Sequence, residues 1–471
     1  MKKVLSLILC ALALAQLAAC GEAEKPSETS AETTPAETAP PYADNLGDIR
    51  FDGKTFTFYL CTGYGDYYVE EESGEVLNDA IYNRNRKVEE RLGITLNYVN
   101  GDVGSDGTSQ GVETQTIRSL IQAGDTENHV YVHSQHAGMP AMINEKYFID
   151  WNTIPNLDLT QDYWYQNCIR DINYGNKIYA MTGVYNLGTL TSANGLYFNK
   201  RLMTDLGHDY PYQDVLDMKW TNDKFVAMIK DATQDLNGDG KIEFDKDQTG
   251  FHGWSYEQNP AYFMGLGGDI CTKDKDNMPV LQIDTERNVN IVDTILKTFE
   301  LDGAAFESKT YGIFNDEFID GRLLFVHGHL SLSSKFRDMP DDFGFLPYPM
   351  LDEAQGEYHS RVQNTSGLTY IPVTNDDLEF TGAVLEVLAS TSSTTTVPAY
   401  FDVVLTVKQT RDTESEQMIP IIRESCSFYD EALGFGMNTV ISSGKNLVTY
   451  YAEQKNTVEK NLQDLIDTYK D

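Results

Sequence analysis

An early stretch of the chain alternates between strand-like and helix-like patterns, and no other feature of the sequence constrains the fold as strongly. Residues 54–60, 94–99 and 130–134 (KTFTFYL, ITLNYV and VYVHS) have the apolar patterns of strands. Between them, residues 74–93 and 112–124 place apolar side chains on one helical face, and each segment ends on a glycine. A β-α-β-α-β order predicts a parallel sheet with helices packed on its faces, because parallel strands need long crossover connections.

The same α/β pattern continues later in the chain. Residues 220–234 and 292–303 have the periodicity of helices, and residues 342–350 and 367–373 have the pattern of strands. Residues 379–390 predict a helix that breaks in the following STSSTTTVP stretch. A chain of 471 residues is too long for one small domain and is typical of two lobes.

The N-terminus has the features of an exported protein. Two lysines precede an apolar run over residues 4–14, which is too short for the roughly 20 residues of a membrane span. Residues 17–20, Leu-Ala-Ala-Cys, are typical of a secretory cleavage site and resemble a bacterial lipobox, in which the Cys is acylated. We therefore predict a signal peptide over residues 1–19 and a lipidated Cys20 that begins a disordered tether over residues 20–47. The alternative is an ordinary signal peptide with a Cys in this place by chance.

The charge balance and the cysteines narrow the classes of function. A formal net charge of −36 argues against nucleic-acid binding, because phosphates require lysine and arginine. Cys61, Cys168, Cys271 and Cys426 are widely separated and have no metal-ligand spacing. Export would permit disulfides between them, and buried free thiols are an equal alternative.

Residues 195–207, GLYFNKRLMTDLG, resemble the signature segment of family 1 extracellular solute-binding proteins, the sugar-type receptors of ABC importers. Phe198 stands where that segment usually has Tyr, and Thr189 stands where an aliphatic residue is usual. Further stretches that resemble the family lie at residues 220–225, 265–269, 316–328, 342–360 and 410–419. With them, the resemblance covers most of the chain from about residue 50 onward.

This resemblance implies an α/β, two-lobed fold of the type II periplasmic-binding-protein kind, with a hinge of crossover segments between the lobes. The first lobe would take residues 48–187 and 366–398, and the second would take residues 188–365 and 399–471. The implied crossovers lie near Gly188, Ser366 and Pro398.

The function implied by the resemblance is that of a receptor without catalytic residues. It would be a monomer, lipid-anchored on the extracellular face of the cell membrane. It would capture a small solute, most often a mono- or oligosaccharide in this family, and deliver it to the permease subunits of an ABC importer.

The cleft of such a receptor should offer aromatic faces to the C–H surfaces of a sugar and polar groups to its hydroxyls. The candidates follow predicted strand ends or lie in a paired aromatic stretch, and each aromatic residue could instead belong to an ordinary packed core. They are Tyr64, Asp66, Tyr67, Ser134, Gln135, Tyr163, Trp164, Trp254 and Tyr256.

Residues 235–247, DLNGDGKIEFDKD, resemble a calcium-binding loop. A complete EF-hand is excluded, because position 12 of the loop is Lys246 rather than Glu and a strand pattern follows where a helix is needed. We expect a structural calcium site instead, and a solvated acidic turn is the alternative. Its predicted ligands are Asp235, Asn237, Asp239, the Lys241 carbonyl, Glu243 and Asp247.

The sequence leaves three alternatives to the receptor function. A transition-metal site could use the HxxH of His133 and His136 with the HxH of His327 and His329, although HxxH does not place both rings together at a strand end. A carbohydrate-active hydrolase could use a carboxylate pair, but the sequence has no nucleophile elbow, HExxH or P-loop motif. A surface sensor or adhesin that binds glycan without transport is the third alternative.

Overall fold

The computed structural model of the chain describes residues 44–61, 67–101, 110–307, 309, 311–403, 413–428 and 431–470. The predicted signal peptide and Cys20 lie outside these ranges. Within the ranges, no helix combines the length and the apolar character that a membrane crossing requires.

The first sheet is formed mainly by the early alternating segments. It contains β1 (Thr55–Leu60), β2 (Thr95–Asn100), β3 (Val130–Ser134) and β11 (Gly367–Tyr370) in the order β11-β3-β1-β2. β1 is parallel to β2 and to β3, and β11 is antiparallel to β3. The predicted parallel β-α-β-α-β unit is therefore confirmed, and a late strand completes its edge.

The second sheet is built from the middle of the chain. It contains β4 (Asn194–Asn199), β5 (Thr249–His252), β8 (Leu323–His329) and β9 (Phe343–Leu346) in the order β5-β8-β4-β9. β5 and β8 are parallel, whereas β4 is antiparallel to both β8 and β9. β4, β5, β9 and most of β8 are buried, as expected for a sheet covered on both faces.

Two small sheets and the helices complete the described part. β6 (Cys271–Lys273) and β7 (Pro279–Leu281) form a hairpin, and β10 (Ser360–Arg361) pairs in parallel with β12 (Cys426–Ser427). The helices are α1 (Val76–Leu92), α2 (Gln110–Gln122), α3 (Met139–Asn144), α4 (Gln166–Ile172), α5 (Leu187–Thr191), α6 (Lys200–Asp205), α7 (Tyr212–Leu216), α8 (Asn222–Ala232), α9 (Ser255–Gly265), α10 (Glu286–Thr298), α11 (Ile313–Ile319), α12 (Ser333–Phe336), α13 (Leu378–Thr394), α14 (Thr396–Val403), α15 (Thr413–Glu424), α16 (Met437–Ser442) and α17 (Leu447–Lys470).

The chain passes between the two sheets near two of the positions expected. Gly188 lies in α5, between β3 and β4, and Ser366 directly precedes β11. Pro398 lies inside α14, which packs with α13 against α1 beside the first sheet, whereas α15 packs on β9 of the second. Residues 404–412, between α14 and α15, lie outside the described part of the chain, and the exact lobe boundaries stay a prediction.

The predicted break of the helix in STSSTTTVP is confirmed, because α13 ends at Thr394, its cap residue Thr395 has φ −125° and ψ −75°, and α14 begins at Thr396. Before the break, α13 continues through Ser392 to Thr394. The hydroxyls of Ser390 and Ser393 donate to carbonyls three residues earlier, and that of Ser392 donates to the carbonyl of Leu388 four residues earlier. Because these serines hydrogen-bond back into the helix and α13 is packed against α1, tertiary contacts outweigh the low helix propensity of the segment.

The question of disulfides is settled for the four widely spaced cysteines. Cys61, Cys168, Cys271 and Cys426 are all free thiols, and Cys271 alone among them is more than slightly exposed. Of the two alternatives that the sequence left open, free thiols are the correct one.

Candidate solute-binding site

Three aromatic rings gather at the carboxyl end of β5 in the second sheet. Trp254 and Tyr256 follow β5, and their ring centroids are 5.2 Å apart. Tyr311 packs edge-on against Trp254, with centroids 5.1 Å apart and an interplanar angle of 76°. Trp254 and Tyr256 are half-buried and Tyr311 is 54% exposed, so this aromatic trio keeps ring surface accessible.

A close backbone approach fixes the start of this segment. A Cβ built on Gly253 would lie 2.1 Å from Gln258 Oε1 and 2.7 Å from the Cβ of His327 on β8. A side chain at position 253 would therefore clash with β8 and α9, so glycine is required there. The next residue, Trp254, is the N-cap of α9. The Trp254 backbone also pairs with Glu307 in a parallel bridge.

The segment that leads from the second sheet back to the first lies against the trio. The Asn364 side-chain amide donates to the Tyr256 hydroxyl at 3.0 Å. His136, just beyond β3, donates through Nδ1 to the Asn364 carbonyl at 3.2 Å. Gln363 donates to the Glu257 carboxylate in the first turn of α9. Residues of both sheets thus meet at this connection.

Several ionisable groups are buried beside the trio. Glu257 is 4% exposed and its Oε2 lies 3.8 Å from Nε2 of His327, whose Nδ1 contacts the Tyr348 hydroxyl at 2.7 Å. Burial lowers the pKa of His327, and burial likewise lowers the pKa of His329 and His136. These imidazoles are therefore neutral near pH 7, and they offer neutral donors and acceptors rather than cations.

The arrangement is suited to binding a neutral polar molecule. The partly exposed rings supply stacking faces, and amide, hydroxyl and imidazole groups lie next to them. The HxH histidines do not form a metal site with His133 and His136. His327 contacts Tyr348 and Glu257, His329 contacts the Ser331 hydroxyl at 2.7 Å, and His133 contacts Thr114 and Ser134.

Three of the predicted aromatic contacts belong to the core beside the first sheet. Tyr67 is 1% exposed and packs on Phe58 and Tyr185. Trp164 is 1% exposed, and its indole donates to the carboxylate of Glu386 on α13 at 3.3 Å.

Tyr163 is 8% exposed and its hydroxyl donates to the other oxygen of the same Glu386 carboxylate. Burial raises the pKa of Glu386, and the two aromatic donors oppose that shift. The structure thus places Tyr67, Tyr163 and Trp164 in the core rather than on an open surface, because all three rings are enclosed and Tyr163 and Trp164 also donate to Glu386.

The remaining predicted contacts of the first sheet are also turned away from the trio. Ser134 is fully buried, and its hydroxyl lies 3.1 Å from Nδ1 of His133. Gln135 lines a cavity of about 30 Å³ beneath α17, together with Tyr370 and Leu465. Neither amide atom of Gln135 has a hydrogen-bond partner in the described part of the chain, and the cavity has room for about one water molecule. Tyr64 and Asp66 lie outside the described residues.

The sequence did not indicate several residues that the structure places at this site. Tyr311 comes from a loop without a strand or helix signal, and the HxxH pattern of His136 indicates only a metal ligand. Glu257, Gln363 and Asn364 reach the site because the chain returns from one sheet to the other beside α9. One signal was available, since Glu257 follows Trp254 by three residues and therefore shares its side of the helical turn.

The loop of residues 235–247 is a closed excursion between α8 and β5. Gln234 and Gln248 exchange two backbone hydrogen bonds of 2.9 and 3.1 Å at its base. Asp235 accepts from the amides of Gly238 and Gly240, Asn237 accepts from Asp239, and Asp239 accepts from Lys241. These side chains therefore face inward along a turn that Gly240, at φ +79°, allows.

The far end of the loop is tied by other contacts. The Asp247 carboxylate accepts from the amides of Leu236 and Glu243, so it joins the two ends of the loop, and these bonds lower its pKa. The Glu243 carboxylate is paired with Lys246 at 2.6 Å. The oxygens at Asp235, Asn237 and Asp239 fit a calcium site, whereas Glu243 would have to exchange Lys246 for the ion.

A second, larger cavity lies elsewhere in the described part of the chain. It has a volume of about 530 Å³ and is lined by residues of α4, of the segment from Met264 to Lys273 and of β12. Lys273 on its wall donates to the carbonyls of Arg170 and Asn173, so part of its polar lining is already engaged. We place the candidate site at the aromatic trio instead, because ligands of α/β sheets bind at the carboxyl ends of strands.

The fold is that of two-lobed solute-binding proteins. The GacH receptor of Streptomyces glaucescens, solved unliganded and with acarbose, is similar over 88% of this chain and 99% of its own, with a TM-score of 0.56 and 15% identity. The maltotriose-bound maltose/maltodextrin-binding domain MalE from Bdellovibrio bacteriovorus covers 87% of this chain and 100% of its own, with a TM-score of 0.53 and 14% identity. A family 1 extracellular solute-binding protein from Bifidobacterium longum subsp. infantis covers 89% of this chain and 98% of its own, with a TM-score of 0.52 and 14% identity.

These likenesses confirm the expected two-lobed α/β architecture over nearly the whole chain. No protein-family model matches the sequence, and no curated protein matches it significantly. At such low identity, the shared fold does not transfer a ligand, so the solute has to be argued from the site itself.

Proposed function

We propose that this protein is an extracellular receptor that captures a mono- or oligosaccharide between its two lobes. The observation that carries the proposal is the aromatic trio of Trp254, Tyr256 and Tyr311, which lies at a strand end and against the connection between the two sheets. The rings would stack on the C–H face of a sugar, and the surrounding amides and hydroxyls would bond to its hydroxyl groups.

The site chemistry favours a neutral solute over a charged one. The histidines beside the trio, of which His327 is buried and His136 and His329 are half-buried, are neutral near pH 7, because loss of solvent lowers their pKa. The Glu257 carboxylate already accepts from Gln363 and contacts His327. A sugar fits these neighbours, and the sugar complexes of two structures with the same fold are consistent with this choice.

Two further elements of the function rest on the sequence. The lipobox-like residues 17–20 support attachment through acylated Cys20 on the extracellular face of the membrane. The resemblance to receptors of ABC importers supports delivery to a permease after the lobes close. Closure is favoured when the solute contacts both lobes at once, because binding then shifts the population toward the closed form.

Calcium is the proposed structural ion of the loop at residues 235–247. Asp235, Asn237, Asp239 and the Lys241 carbonyl would hold it, and Glu243 and Asp247 would complete the set. The ion would stiffen the loop between α8 and β5, and β5 leads directly to Trp254. It would add no chemistry to solute binding.

A thermal-shift screen of the purified protein against sugars, oligosaccharides, peptides and polyamines tests the solute class. We expect one group of saccharides to raise the melting temperature, since a ligand at 100 times its Kd stabilises by about 2.7 kcal/mol. Stabilisation by peptides or polyamines alone would overturn the sugar proposal. Hydrolysis of a stabilising glycoside would overturn the binding-only proposal and favour a hydrolase.

Small-angle scattering with the best saccharide tests the closing motion. We expect a smaller radius of gyration in the bound state. Tight binding without compaction would contradict delivery by lobe closure, and would favour a sensor or adhesin. An uptake assay with vesicles that contain the protein and its cognate permease subunits tests import directly. Absence of saccharide uptake would contradict the import proposal.

A further inference from the structure

A cysteine, a glutamate and a histidine meet in the interior beside the first sheet. Cys61, Glu113 and His133 each offer one ligand atom, and these atoms all lie within 4.8 Å of one another. The three residues are 2%, 1% and 0% exposed, respectively. They are separated along the chain and have no motif spacing, so only the fold brings them together.

The topology explains the meeting. Cys61 directly follows β1, and its amide donates to the Val132 carbonyl at 3.0 Å, which continues the parallel pairing of Leu60 with Val132. Cys61 therefore stands beside His133. Tyr59 and Tyr131, two residues earlier on each strand, have ring centroids 5.4 Å apart and mark the same face of the sheet.

The third group comes from the crossover helix. Glu113 lies in the first turn of α2, which packs on β3. A Cβ on Gly101 would lie 2.9 Å from Glu113 Oε1 and 3.2 Å from the Tyr59 hydroxyl. The absence of a side chain at Gly101 thus leaves room for the Glu113 carboxylate next to the sheet.

We propose that Cys61, Glu113 and His133 form a binding site for one divalent transition-metal ion of the zinc type. Zinc binds thiolate sulfur at about 2.3 Å and imidazole nitrogen or carboxylate oxygen at about 2.0–2.2 Å, so small side-chain rotations bring all three onto one ion. Three protein ligands leave the fourth tetrahedral position to water or another donor. A sulfur and nitrogen ligand set disfavours calcium and magnesium, which take oxygen ligands.

The surroundings of His133 suit a ligating imidazole. Nδ1 lies 3.3 Å from the Ser134 carbonyl oxygen and 3.1 Å from its hydroxyl, and Nε2 lies 3.2 Å from the Thr114 hydroxyl. In the metal-free protein Nε2–H donates to the Thr114 oxygen, because the Thr114 proton is used on another acceptor. Metal binding through Nε2 moves the ring proton to Nδ1, where it can donate to the Ser134 carbonyl, which is the usual arrangement of a metal-binding histidine. The Thr114 hydroxyl donates to the Ala137 carbonyl at 2.7 Å, so that residue is itself held in place.

Binding requires the Cys61 thiol to lose its proton. The sulfur–hydrogen bond breaks, the sulfur keeps the electron pair and donates it to the metal, and the proton passes to solvent buffer. No electron is transferred, so no oxidant or reductant is needed. Burial and the nearby Glu113 raise the pKa of the Cys61 thiol in the metal-free protein, so metal uptake should release about one proton from this group.

Cobalt spectroscopy of the full-length protein, stripped of metal with a chelator, tests the site. We expect one equivalent of Co²⁺ to give a thiolate-to-cobalt charge-transfer band together with intense tetrahedral d–d bands. Added Zn²⁺ should remove these bands, because it outcompetes Co²⁺ in the order of divalent affinities. Absence of the charge-transfer band in the wild-type protein would overturn the proposal and leave a hydrogen-bonded, metal-free cluster.

Matched variants assign the band to Cys61. Cys61→Ser should abolish it, whereas Cys168→Ser, which alters another fully buried free thiol, should leave it unchanged. His133→Gln and Glu113→Gln should weaken metal affinity by at least about 100-fold, since loss of even an outer-shell partner costs 10–100-fold. Loss of the band in Cys168→Ser, with retention in Cys61→Ser, would contradict the assignment.

X-ray absorption spectroscopy of the zinc-loaded wild-type protein identifies the ligand atoms of the metal. It tests the site even if a variant does not fold. One sulfur with two or more nitrogen or oxygen ligands supports the site. A shell of nitrogen and oxygen alone, or of several sulfurs, overturns it. None of these measurements depends on whether the protein binds a sugar.

Discussion

Each of the two sheets has an aromatic pair packed near it, but the two pairs differ in exposure. Beside the first sheet, Trp164 and Tyr163 are enclosed, and both donate to the Glu386 carboxylate. Beyond the second sheet, Trp254 and Tyr256 are half-buried and their rings remain partly open. The difference teaches that an aromatic pair belongs to the core when a buried acceptor binds its polar atoms, and is a candidate binding surface when its rings stay partly exposed.

The largest expected effect is on stability, and it tests whether Trp164 is a core residue. Trp164→Ala should lower the free energy of unfolding by ~3–5 kcal/mol, because it leaves a cavity and deprives the buried Glu386 carboxylate of a donor. Urea denaturation measures the loss. Trp164→Phe, which keeps an aromatic ring, should cost less. Loss of solute affinity in Trp164→Ala, without loss of stability, would move Trp164 to the binding surface and break the comparison.

The calcium proposal predicts the next largest effect. Removal of Ca²⁺ with EGTA should lower the melting temperature measured by calorimetry, since an ion present at 100 times its Kd stabilises by about 2.7 kcal/mol. The Asp235→Ala variant should melt at the same temperature with and without EGTA. An unchanged wild-type melting temperature would remove calcium from the second lobe, and the order of β5 and Trp254 would then rest on protein contacts alone.

Trp254→Ala tests whether the partly exposed rings beyond the second sheet bind the solute. It should weaken saccharide binding by roughly 10- to 100-fold, since a ring that covers a ligand contributes about 1.5–3 kcal/mol of buried apolar contact. Stability should change by less than in Trp164→Ala, because the ring is only half-buried. Isothermal titration calorimetry measures the affinity. Tyr210→Ala, at an aromatic residue 39% exposed outside the trio, is the control, and an equal loss there would contradict the assignment.

The smallest expected effect is a change of protein stability with pH, which tests whether the histidines beside the trio are neutral. Burial lowers the pKa of His136, His327 and His329 beside the trio, from an ordinary value of 6.5. The unfolded chain therefore binds protons near pH 6.5 that the folded protein does not bind, and stability should fall as the pH drops through that value. The slope is at most about 1.4 kcal/mol per pH unit for each histidine.

Unfolding curves between pH 8 and pH 5 measure this dependence, and His327→Gln should have a shallower slope. A stability that rises on acidification over this interval would show that the histidines gain protons on folding. The neutral character of the proposed site would then be wrong.

Much of the local structure followed from the sequence. The strands of residues 54–60, 94–99 and 130–134 and the helices between them lie where their apolar periodicity predicted them, within one or two residues. The strand before Trp254 was also predicted correctly. Apolar pattern suffices in these segments, because each buries one face or both faces regardless of its partner in space.

The candidate site was less accessible to such reasoning. Tyr256 and Asn364 are more than a hundred residues apart, yet their side chains are 3.0 Å apart, and no local pattern encodes that contact. Likewise, no sequence pattern near Trp164 predicts that its indole donates to Glu386. Residues chosen because they followed strand ends therefore lie partly at the aromatic trio and partly in the core.

By itself, the sequence determined the α/β class, the two-lobed architecture expected from the family resemblance and the candidate elements near its strand ends. Tertiary structure alone decided which aromatic rings stay open, which are enclosed, and that Cys61, Glu113 and His133 come together. The physical reason is that apolar periodicity indicates only which face of its own helix or strand a side chain lies on. What covers that side chain depends on distant segments, which meet only when the strands pair and the chain crosses between the lobes.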